Sequence, residues 1–141
     1  AADHQQAFET PPPPAAGARS GSLAGRLREE GLSSSDRNIG VAIHLSTIVG
    51  AMIAGPLAFI APIVLWLVRK GESAFVDDHG RETINFMISF LIYHAVLAIT
   101  FIGLVLFPVL WIVALVSVIR GAVAASNGEY FRYPMTIRFL Q

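Results

Sequence analysis

Two long stretches of this chain contain no Asp, Glu, Lys or Arg: residues 40–68 and residues 84–119. Between them lies a charged island, RKGESAFVDDHGRETIN, at residues 69–85. Runs this long and this apolar read as membrane-spanning segments and not as the core of a soluble domain. Each run exceeds the roughly 20 residues that one untilted crossing needs. The second would measure about 54 Å as one helix, against a hydrocarbon core of about 30 Å. Each also holds breakers near its middle: Gly50, Gly55 and Pro56 in the first, Gly103 to Pro108 in the second.

The pattern therefore predicts four helices. The first runs from about Ser34 to Ala51, opened by Ser33 and Asp36 in a near-match to a capping box. The second runs from Pro56 to Lys70, with proline in a first turn where its missing N–H costs nothing. The third runs from Gly80 to Ile102 and the fourth from Pro108 to Ala125. The fold class expected is all-α, a multi-pass membrane protein of about four transmembrane helices arranged as two hairpins. A two-crossing arrangement is the alternative. Charge placement favours four, because the basic residues then fall on one face: Arg26, Arg28 and Arg37, then Arg69, Lys70 and Arg81, then Arg120, Arg132 and Arg138. By the positive-inside rule that face is cytoplasmic, with both termini on it. The localisation expected is the bacterial cytoplasmic (inner) membrane.

The flanks read differently. Residues 1–35 form a Pro/Ala/Gly-rich tail, disordered or polyproline-like in isolation. A short amphipathic helix is expected within residues 22–32, ended by Gly31. No apolar h-region precedes about residue 39, so insertion is expected to rely on the internal apolar segments. Residues 36–126 form the helical membrane domain. In residues 127–141, Phe131, Tyr133, Met135, Ile137 and Phe139 alternate with Arg132, Pro134, Thr136 and Arg138, as in an extended interfacial segment with one apolar face. It anchors at headgroup level or binds a neighbouring subunit.

Composition narrows the chemistry. Of 141 residues 54% are hydrophobic and only 14% charged, at net charge zero, so nothing favours nucleic acid as a partner. There is no cysteine, which removes disulfides, thiolate nucleophiles and Cys-built metal sites. In the island, Asp77 and Asp78 are placed to cap the third helix, and His79, Arg81, Glu82 and Asn85 follow on its first turns. Two carboxylates and one histidine are too few to specify a metal site, so this group reads as helix caps and polar contacts. His44 and His94 lie inside the apolar runs, where an ionisable residue is a functional candidate. Cofactor or pigment contact is one reading and hydrogen bonding between helices the other. Their depths, about 15 Å and 21 Å from the charged face at 1.5 Å per residue, do not converge on one haem iron. No metal and no cofactor is assigned. Small residues recur at fours, as Gly50, Ala54 and Ala58 and as Ser117, Gly121 and Ala125, and let helices approach closely.

Several motifs together carry a resemblance. They are His44 to Ser46; Gly55 and Pro56 followed by Ile63 to Leu67 before Arg69 and Lys70; Phe75 to Glu82 with Asn85 and Phe86; and Asn127 to Pro134 with Thr136 to Phe139. The layout resembles the DUF4870 bacterial membrane proteins, distantly grouped with Tic20-like chloroplast import components, over about residues 40–140. The resemblance implies a helical membrane domain with short hairpins, no catalytic residue, and a distant link to translocation. Taken with the residues, it points to a non-enzymatic accessory or structural subunit of a larger membrane complex. Its partners would be the lipid bilayer and other subunits. A component of a transport or protein insertion system is the alternative.

Overall fold

The computed structural model describes residues 19–21 and 25–141. The polyproline part of the tail lies outside the described residues. Four helices form: α1 (Ser34–Ala54), α2 (Ile60–Arg69), α3 (Ala74–Ala98) and α4 (Gly103–Ser126).

Local chemistry sets their ends. Ser33 stays extended and its hydroxyl accepts the Asp36 N–H at 3.0 Å, capping α1. Gly55, at φ 52°, turns the chain out of α1 through a conformation that a Cβ disfavours. A 3-10 turn, Gly55–Phe59, then leads into α2. Ser73, not Asp77 or Asp78, caps α3 by accepting the Val76 N–H. Most of the charged island is thus the first turns of α3, which starts earlier than the apolar pattern indicates. Pro108 does not open α4 but sits inside it. The break falls instead at residues 99–102, where Gly103 packs so near the Leu97 carbonyl that a Cβ would lie 1.9 Å from its oxygen. At the far end of α4, Gly128 (φ 73°) donates to Ala125 O and Glu129 N–H to Ala124 O, a Schellman stop.

Among the described residues 25–32, the short amphipathic helix expected within residues 22–32 does not form. Strand β1 (Arg19–Gly21) pairs antiparallel with β2 (Leu27–Glu29). The other edge of β2 is hydrogen-bonded to the C-terminal segment, Glu29 N–H to Gly128 O at 2.9 Å and Tyr130 N–H to Leu27 O at 2.8 Å. Backbone partners on both edges, β1 nearby and a bridge to Glu129 far along the chain, decide this element against its local periodicity.

Packing is close where glycine allows it. A Cβ on Gly40 would touch Ala125 and one on Gly121 would meet the His44 ring at 2.8 Å, so α1 and α4 lie antiparallel along the Ser117, Gly121, Ala125 row. Gly50 backs directly on Ala58 of the 3-10 turn, and Trp66 of α2 packs directly on Gly80 of α3. Phe86, Ala114, Val118, Ala124, Phe131 and Tyr133 form the core between α3, α4 and the C-terminal segment.

The four-crossing, two-hairpin membrane arrangement does not hold. Among the described residues one helix, α4, is both long and apolar enough to cross a membrane. Helix α2 has 10 residues, about half of what a crossing needs. Helices α1 and α3 begin outside the apolar runs and bury polar groups: His44 and Thr47 in α1, His79, Glu82, Thr83, Asn85 and Ser89 in α3. Buried carboxylates at Glu129 and Glu82 pair with Arg26 and Arg138. The multi-pass inner-membrane placement with cytoplasmic termini falls with it, because it rested on counting each half-run as a crossing.

Candidate functional site

The polar side chains that sequence reading scattered over two apolar runs and the island meet at one end of the bundle. His44 and His79 are fully buried there. His79 Nε2 lies 3.0 Å from the Glu129 carbonyl, which only accepts, so this nitrogen carries the proton. His79 Nδ1 then accepts from His44 Nε2 at 2.7 Å. His44 Nδ1 in turn accepts from the Tyr133 hydroxyl at 2.6 Å, with Thr83 Oγ1 on the same lone pair at 3.0 Å. One direction of donation therefore runs from Tyr133 through both imidazoles to Glu129, and it fixes both tautomers. It joins α1, α3 and the C-terminal segment.

Burial, and then the neighbouring His79, hold the His44 imidazole well below its ordinary value. Burial likewise pushes His79 down to about 4, although Asp78 and the bond to Glu129 pull the other way and Arg132 adds to the fall. Burial raises the Tyr133 phenol. All three groups are neutral at pH 7, as the donation pattern requires.

A second set of contacts ties α3 to residues 128–141, which run along it as a hook that turns at Pro134 and Met135. Asp78 holds Arg132 in a two-point pair at 2.6 and 2.7 Å. Glu82, 4% exposed, accepts the Tyr133 N–H at 2.8 Å and pairs with Arg138 through both oxygens. Asn85 accepts Phe139 and Leu140 N–H through Oδ1 and donates to Leu140 O through Nδ2. Ser89 Oγ accepts the Ile137 N–H at 2.8 Å, and Tyr93 donates to Met135 O at 2.6 Å. These α3 positions recur at threes and fours and so share one face.

The remaining residues singled out from sequence stand apart. Asp77 accepts the Trp66 indole N–H at 2.8 Å and pairs with Arg81 one turn on. His94 takes no part in the relay. Its Nδ1 donates to Phe90 O at 3.0 Å, and its ring packs among Phe90, Phe107 and Trp111. His44 and His94 are thus not brought together, and His44 meets His79 instead. Both nitrogens of His44 and of His79 are engaged within the protein, leaving no lone pair for a metal or haem. No group of three or more His, Asp or Glu side chains converges among the described residues. Sequence reading missed Thr83, Ser89, Glu129 and Tyr133 as site members. The available signal was the row of polar side chains at 78, 82, 85, 89 and 93, spaced by threes and fours along α3.

Residues 35–140, nearly all of α1 to α4 and the hook, match the family model MamF_MmsF, described as the magnetosome magnetite crystal formation protein family. No curated protein and no solved structure matches the chain. The match overturns the resemblance to the DUF4870 and Tic20-like proteins, whose shared short motifs do not outweigh agreement along the whole helical region. The matched family is one of structural, non-catalytic membrane proteins, so the chain is membrane-associated and not an enzyme. The β-hairpin lies before the matched residues, and the relay and hook lie within them. The chain belongs to the MamF_MmsF family, the magnetosome magnetite crystal formation protein family.

Proposed function

We propose that the chain is a structural subunit of a membrane-bound assembly that supports magnetite crystal formation. The family match over residues 35–140 carries this reading. Two features of the fold support a part played through contacts. Helix α4 leaves Leu104, Val105, Ile112 and Val116 exposed, an apolar surface that needs lipid or protein against it. The buried relay and hook hold α1, α3 and α4 in one fixed arrangement, as a scaffold requires. The transport alternative gains nothing comparable. The groove beside α1 is lined by Val49, Ile53, Leu57 and Ile60 with Ser46 as its one hydroxyl, and an aqueous path needs a polar lining.

The test is deletion of the gene in a magnetite-forming cell, with crystal size and shape measured by electron microscopy. The expected result is altered crystals inside membrane compartments that still form, reversed by the intact chain. Crystals of unchanged size and shape would sink the proposal. Purification in mild detergent addresses the subunit role, with stoichiometric recovery of a defined set of membrane proteins expected.

A further inference from the structure

The hook has two sides of opposite character. Its inner side is backbone, and α3 satisfies that backbone group by group: Tyr133 N–H on Glu82, Met135 O on Tyr93, Ile137 N–H on Ser89, and both Phe139 and Leu140 on Asn85. Its outer side carries Met135, Ile137 and Phe139. Ile137 and Phe139 alternate beyond the turn at Pro134 and Met135, so those two share one face. Met135 sits in that turn at φ 57°, and all three are exposed, Met135 at 66%. Water would have satisfied such a backbone without help. Side-chain partners for an extended, unpaired segment are required where water is excluded. The hook also adjoins α4. Pro134 and Met135 border a narrow cleft with Leu110 and Val113, beside the exposed Val109 and Ile112. The apolar face of the hook therefore continues the apolar face of α4, the one helix among the described residues suited to a membrane. Its flanking arginines are already neutralised, Arg132 by Asp78 and Arg138 by Glu82.

From this juxtaposition we infer that the C-terminal hook, residues 131–140, is a membrane-dipping element. It inserts Met135, Ile137 and Phe139 among lipid acyl chains while α3 shelters its backbone. This rests on the membrane-associated reading of the chain, with α4 against lipid. Contact with acyl chains removes the three side chains from water. The ladder from Glu82 to Tyr93 removes the cost of taking peptide groups with them.

The absence of cysteine makes the test direct. Single-cysteine variants Met135→Cys, Phe139→Cys, Ile112→Cys (on α4) and Glu72→Cys (in the exposed α2–α3 turn) are labelled with an environment-sensitive fluorophore. The full chain is then reconstituted into phosphatidylcholine–phosphatidylglycerol vesicles containing nitroxide-labelled lipid. The expected result is blue-shifted, strongly quenched emission at Met135, Phe139 and Ile112, and unquenched emission at Glu72. Quenching at Ile112 with none at Met135 and Phe139 overturns the hook proposal and leaves the membrane reading standing. No quenching at any of the three overturns both. Protection of Met135 from an aqueous thiol reagent without nitroxide quenching means that protein covers the hook, and this also overturns the proposal. In an Asn85→Ala background, quenching at Met135 should fall while that at Ile112, which reports the intact bundle, persists. Unchanged quenching at Met135 there would show that the ladder does not hold the hook in lipid.

Discussion

The two ends of the same bundle are held together by different physics. At the end where α1 and α3 begin and α4 stops, helices meet through buried polar groups with fixed directions. His44, His79, Glu82 and Asn85 each have their partners named by geometry. At the opposite end, Met52 and Ile53 finish α1 and Ile99 and Phe101 form the α3–α4 turn, all of them largely exposed, Phe101 at 96%. The polar end is specified by the protein alone, because each buried group loses free energy if its partner is absent. The apolar end is left for its surroundings to complete. Removing a partner should therefore be costly at one end and nearly silent at the other.

The largest effect is expected from Glu82→Ala. It leaves the Tyr133 N–H unsatisfied in the core and Arg138 without its buried partner, and should destabilise by about 3 kcal/mol, at the low end for a broken buried pair because Arg138 is half exposed. Chemical denaturation in mild detergent, followed by near-UV circular dichroism, measures it. An unchanged midpoint would mean that the hook contributes nothing to the fold.

Acid should come next. His79 stays neutral in the fold down to about pH 4, whereas in the unfolded chain it takes a proton near its ordinary 6.5. The unfolded state thus binds more protons between those values. The stability held by neutral His79 is complete above pH 6.5 and is lost as pH falls from there towards 4, in total about 3 kcal/mol. His44, Asp78 and Arg132 face the same ring and modulate the curve. A His79→Gln variant should be less stable at pH 7 and show a flatter pH dependence over that window. An equally steep curve in the variant would remove His79 as its source.

A smaller loss is expected where packing alone is changed. Gly121→Ala sets a methyl 2.8 Å from the His44 ring, and overpacking of this kind costs about 2 kcal/mol. The same unfolding measurement should show the loss together with displaced His44 resonances in NMR spectra. The smallest effect belongs to the apolar end. Phe101→Ser should leave the midpoint within about 0.5 kcal/mol, because the ring touches little of its own chain. A large loss there would erase the difference between the two ends.

Much of the helical frame was legible because its signals are local. Ser33 and Asp36 at the start of α1 and the Gly55–Pro56 break after it each act within one or two turns of the backbone, although the second helix begins at Ile60 and not at Pro56. The start of α3 was misplaced because its first turns, Ala74 to Gly80, are charged and lie outside the apolar run, while its cap is an unremarked serine. The segment Leu27–Glu29 reads as helix from its local pattern, yet it pairs with β1 on one edge and bridges Gly128 to Tyr130, about a hundred residues away, on the other. The same distance hid the site. Asp78, Glu82 and Asn85 were visible as polar contacts, but nothing in their own spacing indicates that their partners are Arg132, Tyr133, Arg138 and the terminal backbone.

By itself, then, the sequence determined that the chain makes four helices, that two apolar runs flank a charged segment, and that no thiol chemistry is available. Those properties depend on side-chain type and on neighbours a few residues apart. Only the tertiary structure decided that His44 pairs with His79 and not with His94, that both imidazoles are fully engaged, and that the last residues fold back on α3. Buried polar groups must find partners wherever the chain can bring them, and that search runs across the whole fold.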